Sequence, residues 1–193
     1  VYKDIIERYN ITNITLIKYL VKTLLKNFAS EYSPNKLYND LKSQGFKVGK
    51  DTVYEYMGHI EDAFLAFTVP LYSESLRKTQ VNPKKIYAID TGLATAYNMS
   101  FSENIGRLFE NLFYIDLRRA GHTVYYYKTA DDYQIDFFTQ DALGKPHLYQ
   151  VVWDMADKDT LEREQRALTA AETELGIKGE LIDPARYLSA PTL

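Results

Sequence analysis

From Ile17 to Phe64 the apolar residues of this chain recur at the period of a helix, and beyond it they come in short β-prone runs interleaved with further helical stretches. That change of period predicts a mixed α and β chain in two parts, helical first and sheet-containing second. With 193 residues, 46% of them hydrophobic, there is enough apolar surface for each part to have its own core.

In the first part Ile17, Leu20, Val21, Leu24, Leu25 and Phe28 form one buried stripe, with Lys18, Lys22 and Lys26 on the far side. Ser33-Pro34 supplies an N-cap and a proline at the first position of a second helix, with Leu37 and Leu41 inward and Gly45 as terminator. Gly49 opens a third, whose inward stripe is Val53, Tyr56, Met57, Ile60 and Phe64. Two helices joined by a short glycine-containing turn make a helix-turn-helix, and the third helix would be its recognition helix, with Lys50, Thr52, Tyr54 and His59 facing out. Strands over Leu65–Tyr72 and Lys84–Asp90, separated by polar Ser73–Pro83, extend this to a winged helix over residues 14–98. Its wing would set Arg77, Lys78, Lys84 and Lys85 on a phosphate backbone. Asp51, Glu55, Glu61 and Asp62 on the third helix would repel phosphate, so DNA contact and protein docking both stand as readings.

Residues 1–13 are polar with no clear period and read as a tail or linker from an upstream module. A chain that opens on Val1 is expected to be an excised piece of a longer protein. Zero cysteines exclude disulfide scaffolds and thiolate metal sites, and no apolar run approaches the roughly 20 residues a membrane span needs, so a cytoplasmic protein without membrane contact is expected. The net charge of −3 divides unevenly: residues 1–85 hold 13 Lys/Arg against 9 Asp/Glu, a balance of +4, and the remainder 10 against 17, a balance of −7. The first part is therefore the candidate for phosphate contact.

The second part, residues 103–193, reads as a helix from near Glu103 to Ala120, strands over Thr123–Lys128, Tyr133–Thr139 and His147–Trp153, a helix capped by Asp159, and a last strand over Glu180–Asp183. Met99–Asn104 reads as a loop, and residues from Pro184 on read as irregular. The order predicts an α/β sandwich. Alternation along Tyr125-Tyr126-Tyr127 argues for sheet packing over base stacking.

An acid on a helix, an acid at the start of a strand and a polar-x-polar triplet on the next strand are how metal-dependent phosphodiesterases collect ligands around one cation. Glu110 and Asp136 supply the first two and on chemistry alone would share Mg²⁺ or Mn²⁺. In the triplet Gln150-Val151-Val152, glutamine offers only a neutral oxygen and Val152 nothing, where hydrolysis wants a carboxylate and a lysine. Loss of that amine costs a rate factor of about 10² to 10⁴, so the site is expected to be catalytically silent, with an active metal-dependent nuclease as the alternative. Lys128 is the candidate for a migrated lysine; the plainer reading has Glu110 bonding Arg107 or Lys128, and Asp136 bonding backbone amides. There is no phosphate-cradling glycine loop, no Gly-x-Ser-x-Gly elbow and no metal-binding pair among His59, His122 and His147.

The runs Glu61-Asp62-Ala63-Phe64-Leu65 and Lys84-Lys85-Ile86-Tyr87-Ala88-Ile89-Asp90-Thr91-Gly92-Leu93, the stretch from Gly106 to Arg119 around Glu110-Asn111, and Ile135-Asp136-Phe137 resemble the domain of unknown function found C-terminal to the P-loop module of a large group of prokaryotic AAA+ ATPases. The resemblance implies a winged helix followed by a domain similar to the PD-(D/E)xK nucleases, with ligand roles on Glu110 and Asp136 and the third motif at Gln150-Val151-Val152. It also implies an N-terminal ATPase module, to which ATP and any oligomerisation would belong. The function expected is the nucleic-acid-facing or regulatory region of such an ATPase; a protein-docking or toxin-antitoxin-like interaction module is the further alternative.

Overall fold

A computed structural model describes residues 2–97 and 104–189. In chain order its elements are α1 (Tyr2–Arg8), α2 (Ile14–Lys26), β1 (Ser30–Tyr32), α3 (Pro34–Ser43), α4 (Lys50–Asp62), β2 (Ala66–Val69), α5 (Leu76–Val81), β3 (Lys84–Ala88), α6 (Thr91–Ala96), α7 (Ile105–Arg119), β4 (Thr123–Lys128), β5 (Gln134–Gln140), β6 (Pro146–Val151), α8 (Lys158–Leu175), β7 (Gly179–Ile182) and α9 (Pro184–Ser189). This is a mixed α and β structure with two sheets, and it divides into two compact units, Val1–Thr68 with Pro83–Met99 and Val69–Asn82 with Ser100–Leu193.

The first unit opens on a helix where a tail was expected. α1 forms because Ile5 and Ile11 have a core to enter, and Tyr9 just beyond it stacks on His59 with ring centroids 3.9 Å apart. That stack takes His59 away from the outward role expected of it. α2 buries the predicted stripe, and α3 starts as its sequence requires, with the Ser33 hydroxyl accepting the Lys36 N–H and Pro34 in the first turn. α4 buries Val53, Tyr56, Met57 and Ile60, but not Phe64. Phe64 lies past the helix end in the left-handed region (φ 57), donating its N–H to Glu61 while Leu65 donates to Ile60, and its ring is 60% exposed. Glycine is the usual occupant of that helix-closing position. The three-stranded sheet has the order β1-β3-β2, with β1 antiparallel to β3 and Ser30 opposite Ile86. A three-residue strand is too short to announce itself by periodicity.

The second unit takes in residues 69–82. The expected strand Leu65–Tyr72 breaks at Pro70, which has no N–H to give a ladder. Its first half is β2, and its second half runs along β4, with Tyr72 donating to the Tyr126 carbonyl and Tyr126 to that of Pro70. The Tyr72 ring then stacks on Phe138 at 3.7 Å. The expected basic wing loop is instead α5, capped by Ser75. The four-stranded sheet has the order β4-β5-β6-β7, with β4, β5 and β6 antiparallel and β6 parallel to β7. A parallel step needs a crossover, and α8 is that crossover.

α7 covers one face, Phe113 lying 5.8 Å from Phe137 and 5.3 Å from Tyr149 between ring centroids. α8 covers the other, with Ala167, Leu168 and Ala171 against Ile135, Phe138 and Leu148. Asp157, two residues before the expected cap, closes the start of α8 by accepting the N–H and hydroxyl of Thr160. α9 replaces the expected irregular end: Tyr187 sets its ring against Phe109 and donates its hydroxyl to Asp116. Residues 99–103 of the expected loop lie outside the described residues.

A titratable group of the second unit sits at the far end of the β5–β6 hairpin. His122 Nδ1 is 3.0 Å from the buried Thr139 hydroxyl, its ring is 5.6 Å from that of His147, and His147 Nε2 is 3.2 Å from Asp141. Partial burial, with the neighbouring His147, holds His122 below its ordinary pKa, and Asp141 is held low by the Lys145 N–H and by His147. Both shifts give stability that is present above the unfolded-state pKa and lost as pH falls through the folded one. The Tm of this unit is therefore expected to drop between pH 7 and pH 5, and thermal denaturation of His122→Asn over the same range should give a flatter profile.

Candidate functional site

The ladder between β5 and β6 runs from Gln140 opposite Pro146 to Phe137 opposite Tyr149, and there it stops. The next facing residues, Asp136 and Gln150, are joined through side chains instead. The Asp136 N–H donates to Gln150 Oε1 at 3.0 Å, and the Val151 N–H donates to Asp136 Oδ2 at 3.1 Å. At its other end Gln150 Nε2 donates to Glu164 Oε2 on α8 at 2.6 Å. Glu164 Oε1 in turn accepts from Arg163 Nε and Nη2 at 3.0 and 2.6 Å. The Arg163 guanidinium is held above its ordinary pKa, chiefly by Glu164, with Asp157 and Asp136 adding to the effect. Gln150 is 3% exposed and Val152 is equally buried, its N–H bonded to the Ile182 carbonyl.

Both ends of the Gln150 amide are thus committed, its oxygen to an N–H and its N–H to a carboxylate. A divalent cation wants several oxygens converging on one point. Here a nitrogen points at the nearest acid, and Val152 contributes no donor. Gln150 turns towards α8, whereas Glu110 belongs to α7, the layer on the opposite face. Burial lowers the pKa of Arg107 one turn earlier, and Glu110 partly restores it. Among the described residues no group of three or more histidine, aspartate or glutamate side chains is placed to hold a metal ion. The triplet Gln150-Val151-Val152 thus adds no anionic oxygen to Asp136 for Mg²⁺ or Mn²⁺.

The residues expected to meet nucleic acid are divided between the two units. Lys50 and Tyr54 share a face of α4, the ammonium lying 5.8 Å from the ring centroid, and Tyr54 is 45% exposed. Thr52 is half-buried and about 200° round the helix from Lys50. Arg77 and Lys78 are exposed on α5, in the second unit, while Lys84 is half-buried in the first. Lys85 is 2% exposed, so its ammonium is not offered to a phosphate backbone as expected. Successive strand residues point to opposite faces, and only one of Lys84 and Lys85 could have faced solvent. The exposed face of α4 carries Lys50, Asp51, Tyr54, Glu55 and Asp62, three acids against one base.

The partners that sequence reasoning missed are Glu164 and Arg163. They lie on the crossover helix, 14 and 13 residues from Gln150, and no spacing rule ties a helix position to a strand position across a crossover. The one available signal was chemical: a buried glutamine needs an acceptor for its N–H as well as a donor for its oxygen.

Among the described residues no helix is long and apolar enough to cross a membrane. The sequence pattern of a domain of unknown function, DUF8612, matches residues 1–104. An uncharacterized protein of Methanocaldococcus jannaschii is 34% identical over 178 residues, covering 90% of this chain and 38% of the relative. An uncharacterized protein of Haemophilus influenzae is 26% identical over 142 residues, covering 74% of this chain and 35% of its own. The chain thus spans little more than a third of the length of the curated relatives it matches. No solved structure matches it.

Proposed function

This chain belongs to the DUF8612 family, and we propose that it is the regulatory, nucleic-acid- or protein-facing region of an ATPase of the AAA+ kind, built of a winged helix and a catalytically silent nuclease-like domain. The observation that carries the silent part is the Gln150 amide, fixed between the Asp136 N–H and Glu164 where a cleaving site needs an anionic ligand. The order α7-β4-β5-β6-α8-β7, with strands parting at Asp136 and Gln150, supports the likeness to the nuclease scaffold. Helix, short strand, two helices and two strands, with β1 antiparallel to β3, supports the winged helix. The greater length of the relatives leaves ample room for an ATPase module, where ATP would bind and through which the protein would oligomerise.

The test is incubation of the purified chain with plasmid, single-stranded DNA and RNA in Mg²⁺ or Mn²⁺. No cleavage is expected. Cleavage that Asp136→Asn abolishes would overturn the silent-site reading and install the nuclease in its place.

For the winged helix, docking of protein is favoured over DNA by one observation: the outward face of α4 presents Asp51, Glu55 and Asp62 against the single Lys50. A helix so charged repels phosphate. DNA binding by this chain is expected to be weak and to vanish with salt.

A further inference from the structure

The outward side of α4 does not end at its last turn. Phe64 stands two residues past Asp62, the last residue of the helix, and the Leu65 carbonyl that follows it accepts the N–H of Ile89, a second exposed apolar residue. Ile89 is 36% exposed, and the buried Phe67 meets Phe64 edge-on at 6.0 Å between ring centroids. Acids adjoin them in the chain. Asp62 immediately precedes this apolar end and is exposed, Asp90 follows Ile89 and is exposed, and Glu55 lies between Tyr54 and the helix end. Glu61 is occupied in accepting the Thr68 N–H, and Asp90 also accepts from Leu93 to cap α6, so both carboxylates are held in place. Lys50 stands at the opposite end, over the Tyr54 ring.

Resting on the docking reading of the winged helix, we propose that this face receives a basic segment of another protein, with an apolar side chain seated on Phe64 and Ile89 and cationic side chains set against Asp62, Asp90 and Glu55. Charge complementarity selects the occupant. Phosphate is repelled by this run of carboxylates, whereas a lysine- or arginine-bearing peptide is steered to it and brought into register. The apolar contact supplies the part of the binding that salt does not screen.

Phe64 makes the proposal separable from folding. Its left-handed backbone is one that glycine adopts without strain, so Phe64→Gly removes the ring while the chain keeps a residue suited to the turn. The probe is a synthetic amphipathic helix of lysine and leucine, about 15 residues long, with a glutamate-for-lysine counterpart as control, titrated against the full chain by fluorescence anisotropy. The lysine peptide is expected to bind and the glutamate peptide not. Phe64→Gly is expected to weaken binding at least tenfold with a Tm no more than a few degrees below the parent, and Glu55→Lys with Asp62→Lys to weaken it as much. Absence of binding, or binding unchanged by both variants, would overturn the proposal. Duplex DNA that binds the chain and is lost on Lys50→Ala would also overturn it, while leaving the winged helix standing.

Discussion

Gly179→Ala is expected to cost about 2–3 kcal/mol and to lower the unfolding midpoint of the second unit by several degrees, for a reason that has nothing to do with backbone freedom. A methyl group on Gly179 would stand 2.4 Å from Leu168 Cδ1 and 2.8 Å from its Cγ, well inside contact distance. Leu168 cannot swing clear, because it is packed with Ile135, Phe138, Leu148, Ala167 and Ala171 in the core between α8 and the sheet. Nor can β7 step back freely. Gly179 donates its N–H to Glu172 Oε1 at 2.7 Å and lies opposite Leu148 at the start of the parallel pairing. The clash predicts non-additivity: Leu168→Ala, destabilising by itself, should cost markedly less in a chain that already carries Gly179→Ala. Thermal unfolding of the two single variants and the double variant checks it, and strict additivity would show that α8 yields without strain.

What the sequence discloses about this chain depends on how far apart the interacting residues are. α2 and α7 are long enough for their apolar stripes to repeat, and they fall where periodicity puts them. β4 is bounded by clear turn residues on both sides, and its limits agree to the residue. α1 and β1 are too short to carry a period, and each exists because the folded unit offers it a partner: a core for Ile5, a neighbouring strand for Ser30. Pro70 marked the break between β2 and the segment beside β4 in plain view, but which unit that segment would join depends on tertiary pairing alone. At the candidate site Asp136 and Gln150 were legible because strand order sets them face to face. Glu164 was not, since a crossover helix has no fixed phase relative to the strands it spans.

Gln150→Glu is expected to be the more damaging change, at about 3 kcal/mol or more at neutral pH, and to convert a structural amide into a conditional site. The substitution keeps an oxygen for the Asp136 N–H but replaces the N–H that Glu164 accepts at 2.6 Å with a second carboxylate oxygen. Two acids at that distance in a pocket this buried cannot both ionise cheaply, so the pKa of the new group is raised in the folded state. Its stability is then retained below the unfolded value of about 4.3 and lost as pH rises through the folded one. The variant should therefore lie closest to the parent near pH 4 and fall away from it towards pH 8, a difference profile opposite in sign to that expected from His122 and Asp141. Gln150→Ala separates charge from vacancy: it leaves the Asp136 N–H and Glu164 without their partner, costs about 2–3 kcal/mol, and should show no such pH dependence. The paired carboxylates also present the anionic oxygens that the glutamine withholds, so millimolar Mn²⁺ is expected to raise the Tm of Gln150→Glu and to leave the parent unmoved. If the parent responded to Mn²⁺ as strongly as the variant, the amide at position 150 would not be what keeps this scaffold from holding a metal.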